Sequence, residues 1–171
     1  MDRSQLEREL ERLHAECWGW ALACCGRDRE LAEEALQTAY VRILSGRATF
    51  RGRSSVKTWV FGVIRVTSIE ELRHRATRQS GEVEGSQAIE IPDPRLTPDV
   101  VVEFSERDAA LVDAMATLSP RQREVLQLVF YHELTIEEAA SVMKVSLGSA
   151  RTHYDRGKKA LAHLLTREHV R

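Results

Sequence analysis

The side chains best suited to chemistry here are cations, and the chemistry they suit is contact with a polyanion. Eight of them (Arg47, Arg51, Arg53, Lys57, Arg65, Arg73, Arg75 and Arg78) fall in residues 47–78 against two acids, and seven more fall in residues 144–171, again against two acids. Residues 79–113 invert the balance, with nine acids against two bases, and residues 1–37 carry nine acids against five bases. The net charge of −1 over 171 residues therefore conceals strong segregation. Two basic blocks separated by an acidic one point to two separate contacts with a polyanion, the alternative being two solvated helix faces.

Other chemistries find less support. His14, Cys17 and Cys24 could share a helix face as a metal sensor, but their spacing matches no CxxC or HExxH pattern. Cys17, Cys24 and Cys25 read instead as small core hydrophobes; their odd number argues against a disulfide framework. The histidines (His14, His74, His132, His153, His163 and His169) are scattered, with no nucleophile–base pairing and no phosphate loop. The expectation is a protein that is no enzyme and takes no metal or cofactor. The longest apolar run, Trp18 to Cys25, has eight residues, far short of the ~20 that span a bilayer. The charged start MDRSQLERELER lacks the apolar stretch of a signal peptide, so a cytoplasmic location is expected.

The elements that must position the cations are helices. Leu6, Leu10, Leu13, Cys17, Trp20 and Cys24 recur at steps of three or four, which predicts a helix over residues 4–25 stopped by Gly26. Asp28 caps a second helix with Leu31, Ala35, Leu36, Ala39, Ile43 and Leu44 inward, ending near Ser45-Gly46. Ser54 or Ser55 caps a third, to about residue 76, carrying Trp59, Val60, Val63, Ile64 and Leu72, with Trp59 on its core side. Residues 78–102 hold two Gly, three Pro and five acids and read as a linker reaching at most roughly 80 Å. A second helical set begins near Glu103 with Leu111, Met115 and Leu118. Ser119-Pro120-Arg121-Gln122 and Thr135-Ile136-Glu137-Glu138 then open two further helices by capping-box logic. The predicted fold is all-α: two small helical domains, 1–77 and 103–171, joined by the acidic linker 78–102.

The last two helices make a helix-turn-helix signature. Ala139 and Ala140 allow a close crossing, Lys144-Val145-Ser146 forms the turn with Val145 in the corner, and Ser146 caps a final helix to about Leu165. Ala150 and Tyr154 face inward. That leaves Ser149, Arg151, Thr152, His153, Asp155 and Arg156 for a DNA groove or backbone, with the N–H groups from Ser146 to Ser149 open to a phosphate. Arg151 is the best base reader, since arginine pairs bidentately with guanine; Arg156, Lys158 and Lys159 suit phosphate.

Residues 117–161, TLSPRQREVLQLVFYHELTIEEAASVMKVSLGSARTHYDRGKKAL, closely resemble the promoter −35-binding domain of bacterial sigma factors. Residues 28–75 resemble the −10-binding domain through DRELAEEALQTAYVRIL and FRGRSSVKTWVFGVIR, and the order and acidic linker match the two-domain extracytoplasmic-function (ECF) class. The resemblance implies core RNA polymerase as a partner, at its β′ clamp and β flap, together with promoter DNA and an anti-sigma factor or other regulator. It implies that Glu30, Glu33, Glu34, Gln37, Thr38 and Arg42 on the second helix meet the polymerase. The family usually reads Asp-Leu-Val-Gln-Glu there, and this chain reads Glu34-Ala35-Leu36-Gln37-Thr38. The missing acid is either ordinary divergence or a site where phosphorylation of Thr38 restores negative charge.

The third helix and the loop before it are implied to open and read the −10 element. Phe50, Arg51, Arg53, Ser54, Ser55, Lys57, Phe61, Arg65, Arg73 and Arg75 supply charge, rings and hydroxyls for separated strands. Val66 replaces a usual Asn, Glu70 a usual Asp, and Asp155 stands where a base or ring is commoner; an acid there repels phosphate and can accept from cytosine N4. The acidic linker suits a basic polymerase channel or a plain solvated tether. Two rivals remain: a stand-alone dimeric helix-turn-helix regulator, which leaves FRGRSSVKTW unexplained, and a non-transcribing decoy of polymerase or of an anti-sigma factor.

Overall fold

The computed structural model describes residues 1–81 and 106–168. Among these residues it is all-helical: α1 (Arg3–Cys24), α2 (Arg29–Leu44), α3 (Val56–Ser80), α4 (Glu106–Thr117), α5 (Pro120–Leu126) followed by a π-type turn (Gln127–Tyr131), α6 (Ile136–Met143) and α7 (Leu147–Glu168). The helices divide into two compact units, the first holding α1–α3 and the second α4–α7. Most of the linker assigned to 78–102 lies outside the described residues. Its first three residues continue α3, which ends at Gly81 in the left-handed conformation (φ 67°) rather than near residue 76.

The capping signals act where the sequence places them. Asp28 accepts from the Leu31 N–H and starts α2, and Ser55, rather than Ser54, accepts from the Thr58 N–H and starts α3. Ser119 and Gln122 close a reciprocal capping box on α5, and Thr135 and Glu138 do the same on α6. Each box satisfies two otherwise orphaned backbone donors.

In the first unit α1, α2 and α3 each pack on the other two, with Leu13, Cys17, Trp20, Ala21, Leu31, Ala35, Ala39, Val60, Phe61 and Ile64 fully or nearly buried. Trp20 is the centre. Its ring stacks on Phe61 at 5.7 Å, and its indole N–H donates to the Phe61 carbonyl at 3.0 Å. A buried tryptophan needs such an acceptor, and this one fixes the rotation of α3 against α1. Around that core Cys17 lies beside Tyr40, which also meets His14 Nδ1 at 3.1 Å, and Cys25 lies beside Ser68.

In the second unit Leu118, Val125, Leu126, Leu128, Ala139, Val142, Met143 and Ala150 form the core. Arg123 is buried with them. Its guanidinium donates to the carbonyls of Met115, Ala116 and Leu118 at 3.0, 3.0 and 3.1 Å, closing the C-terminal end of α4. The close helix crossing involves a residue that the alanine argument does not single out. A Cβ on Gly157 would lie 3.1 Å from Leu126 Cδ1 and 3.2 Å from Gln122 Cβ, so α5 and α7 meet where α7 has no side chain. Ala139, Ala140 and Ala150 are buried as expected, whereas the corner residue Val145 is only half-buried. Lys144 ends α6 in the left-handed region at φ 54°, a conformation that costs a residue with a Cβ roughly 1–2 kcal/mol.

Two stability outcomes follow from these positions. Lys144→Gly is expected to stabilise the chain by about 0.5–1 kcal/mol, and Gly157→Leu to destabilise it by about 1–3 kcal/mol, read by urea unfolding. A third concerns alkali. Burial pushes the Cys17 and Cys25 thiols up to about 11 from the ordinary 9.0. The folded chain therefore holds these protons more tightly than the unfolded one. The associated stability is intact below pH 9.0 and is lost as pH rises through about 11, so the melting temperature should fall across that interval, and less so in Cys17→Ala.

Candidate nucleic-acid interface

The exposed face of α2 carries Glu30, Glu33, Glu34 and Gln37, with the Gln37 amide donating to Glu33 Oε1 at 3.3 Å. Val41 continues the stripe one turn on and is 59% exposed, an apolar residue on an otherwise acidic face. The sequence reading omitted it, although the 30, 34, 37, 41 spacing places it there. Arg42 turns instead toward α3, pairing with Glu70 and donating to the Thr67 hydroxyl at 3.4 Å. Thr38 is half-buried and its hydroxyl donates to Glu71 Oε1 at 3.4 Å, so a group added there would face a carboxylate.

The loop between α2 and α3 turns at Gly46 (φ 77°) and Gly52 (φ 68°) and leaves Arg47, Arg51 and Arg53 exposed. Phe50 and Trp59, both half-buried, pack their rings 5.3 Å apart at 51° beside these cations. Trp59 is thus not the core ring expected, and Phe61, expected to offer its ring to unpaired bases, is fully buried against Trp20. The two exchange roles because the Trp20 contact sets the rotation of α3. The same rotation buries Arg65, 4% exposed and so no open strand contact, and leaves Val66 half-buried next to it.

Two further cations of this block are engaged within the fold. Lys57 pairs with Glu16 of α1 and lies over the Phe61 ring at 5.7 Å. Arg75 pairs with Asp28, the residue that caps α2, and reaches Glu30 at 3.7 Å. Arg73 is exposed near the end of α3. Ser55 is committed to its cap, also donating to the Thr58 hydroxyl at 2.9 Å, and Ser54 donates to the Ser55 carbonyl at 3.1 Å. What remains outward-facing is a patch of Phe50, Arg51, Arg53, Ser54 and Trp59, with Arg73 on the helix beyond.

In the second unit Ser146 accepts from the Ser149 N–H at 3.1 Å and donates to the Ser149 hydroxyl at 2.9 Å, starting α7. Ser149, Arg151, Thr152, Asp155, Arg156, Lys158 and Lys159 are exposed along it. Thr152 donates to the Gly148 carbonyl at 3.0 Å, while Arg151 lies 3.6 Å from Glu137 at the start of α6. Lys158 sits over the Tyr154 ring at 4.9 Å, and Tyr154 stacks on Phe130 at 5.8 Å. His153 is half-buried. Desolvation first, then the charges of Arg121 and Arg156, hold its pKa below the usual 6.5. At neutral pH it is therefore an uncharged hydrogen-bonding group, not a phosphate cation. The arrangement is a row of exposed cations and hydroxyls along one helix, with no cluster of His, Cys, Asp or Glu able to hold a metal ion among the described residues.

Known proteins share both halves. The family described as Sigma-70 region 2 matches residues 9–78, and that described as Sigma-70, region 4 matches residues 108–161. The ECF RNA polymerase sigma factor SigX of Bacillus subtilis is 30% identical over 79% of this chain and 71% of its own length. Among solved structures, the sigma factor RpoE in complex with the anti-sigma factor NepR from Bartonella quintana is similar with a TM-score of 0.69 at 22% identity, over 95% of this chain and 97% of its own. CnrH in complex with the cytosolic domain of CnrY is similar with a TM-score of 0.63 at 17% identity, over 96% and 90%.

The state of His153 is directly measurable. Its imidazole should titrate by NMR with a midpoint below 6.5, and Arg121→Ala should move that midpoint upward, because one of the two repelling cations is gone.

Proposed function

The chain belongs to the ECF sigma factors and is an RNA polymerase sigma factor; from that premise we propose which of its surfaces carries each contact. The acidic stripe of Glu30, Glu33, Glu34 and Gln37, extended by Val41, meets the core enzyme at its β′ clamp. The outward patch of Phe50, Arg51, Arg53, Ser54 and Trp59, with Arg73, takes the opened −10 strand. The exposed start of α7, with Ser149, Arg151, Thr152, Asp155 and Arg156, takes the −35 duplex, and Lys158 and Lys159 lie farther along it as phosphate contacts.

The observation that carries the proposal is the division of labour among the cations. Lys57, Arg42, Arg75 and Arg65 are buried or half-shielded by partners within the fold, whereas Arg51, Arg53 and Arg156 stay on the surface, as does Arg151 beside the equally exposed Glu137. Open cations beside a half-buried aromatic pair fit unpaired bases, since rings stack and cations follow phosphate. Exposed cations on a capped helix behind a tight turn fit a duplex groove. Neither surface contains a nucleophile–base pair, and sigma factors act as transcription regulators without catalysing a reaction, so the chain is read as non-enzymatic. A cytoplasmic location fits that role, and no helix among the described residues is long and apolar enough to cross a membrane.

RpoE and CnrH are each described in complex with an anti-sigma factor or a partner's cytosolic domain. By that likeness an anti-sigma factor is the natural regulator here. It would compete for the same surfaces, which are exposed in the free chain.

Phosphorylation at Thr38 belongs to the same proposal. The modification places charge against Glu71, so it acts by loosening the α2–α3 contact as well as by adding charge to the α2 face.

Run-off transcription with core polymerase tests the assignment. Arg51→Ala/Arg53→Ala should abolish promoter opening while leaving polymerase binding intact. Glu33→Ala/Glu34→Ala should weaken polymerase binding itself by about tenfold or more. No transcription from any promoter by the parent chain with core polymerase rules the assignment out. For Thr38, the polymerase affinities of Thr38→Glu and Thr38→Ala should differ; identical values for both and the parent remove the regulatory role.

A further inference from the structure

Glu137 is a carboxylate in the first turn of α6 that the capping box does not use. The α6 capping box is completed by Glu138, whose side chain accepts from the Thr135 N–H at 2.9 Å, so Glu137 is not needed there. Both Glu137 and Glu138 lie in the first turn of α6, where the helix dipole favours acids. The Glu137 carboxylate instead projects to the surface shared with α7, and its Oε1 lies 3.6 Å from Arg151 Nη2 with the two side chains 64% and 59% exposed. An ion pair this open adds little to stability. On a surface that receives DNA, an acid also opposes phosphate. The helix dipole accounts for an acid in this turn but not for the direction its side chain takes, and on that side lies Arg151, the arginine best suited to read guanine.

We propose that Glu137 is a positioning residue for promoter reading: its carboxylate holds the Arg151 guanidinium toward the start of α6 and so aims it at a base edge rather than at a neighbouring phosphate. The physical basis is the length and freedom of arginine. Unheld, an exposed guanidinium samples many rotamers and settles on whichever phosphate is nearest, which gives affinity without sequence information. Drawn to one side by a carboxylate, it favours one direction over the others, and its remaining N–H groups then present the fork that guanine O6 and N7 require. The acid on α6 contributes doubly, because it also discourages phosphate from taking its place.

The inference rests on the assignment of Arg151 to −35 reading, and the experiment separates the two. Core polymerase assembled with the full chain transcribes a promoter in which each base pair of the −35 element is replaced in turn. The parent, Glu137→Gln, Arg151→Ala and the double variant are compared. Glu137→Gln should lose discrimination by about fivefold at the same base pair where Arg151→Ala loses it, and the double variant should be no worse than Arg151→Ala alone. Output from the other promoters should stay level or rise. A purely structural effect of Glu137→Gln would lower all promoters by one factor and overturn the proposal. So would an equal rise on all promoters, which marks simple charge removal, or a changed preference at a different base pair, which marks Glu137 as a reader itself. If Arg151→Ala leaves the whole panel unchanged, the −35 assignment fails and the positioning role fails with it. If Arg151→Ala alters one base pair and Glu137→Gln alters none, only the positioning role falls.

Discussion

The rotation of α3 about its own axis is the constraint on which the first unit depends, and one contact sets it. The Trp20 ring stacks on Phe61 while its N–H reaches the Phe61 carbonyl, so both the face and the height of α3 against α1 are specified together. A stack alone would tolerate rotation, and a lone hydrogen bond would tolerate a shift of packing; the pair tolerates neither. Once Phe61 faces inward, Ile64, Arg65 and Ser68 must follow at helical spacing, and Trp59 must leave the core for Phe50. The aromatic pair next to the exposed loop arginines is thus a consequence of a tryptophan some forty residues earlier in the chain.

The same rotation sorts the cations. In a helix bundle a basic residue near the core has to be paired or reach water, because an unpaired buried charge is costly. Lys57 finds Glu16, Arg42 finds Glu70, and Arg75 finds Asp28. These pairs knit α3 to α1 and α2 and are half-shielded, whereas the arginines of the glycine-bounded loop stay on the surface. The Arg75–Asp28 pair joins the end of the long helix to the cap of the helix whose outer face carries the acids. Packing and electrostatics therefore meet at a single residue.

The second unit uses a different device. Three of its four helices are short, and the buried Arg123 ties the end of α4 to α5 by donating to the carbonyls of Met115, Ala116 and Leu118. The missing side chain of Gly157 lets α7 press onto α5, and the left-handed Lys144 turns the chain tightly enough for Ser146 to start α7 at once. The strain at Lys144 and the absent side chain at Gly157 serve one end, the placement of the α7 start against α6. That placement brings Arg151 to Glu137.

Much of this was legible in the sequence. The helices, their caps at Asp28, Ser119, Thr135 and Ser146, the stop at Gly26 and the exposed face of α7 follow from local rules, because caps and apolar periodicity act over four or five residues and need no distant partner. Segregated charge likewise showed that two basic regions exist. Which of those cations stay open was decided by tertiary structure alone. Phe61 and Trp59 lie two positions apart on a broadly apolar helix, and both rotations bury a ring, so helical spacing favours neither; only Trp20, from another helix, breaks the tie. Arg65 and Arg75 look the same in sequence as Arg51 and Arg53, and the difference is a partner or a burial brought close by folding. Local order is encoded by neighbours in the chain, whereas the availability of a side chain depends on neighbours in space, which no single segment contains.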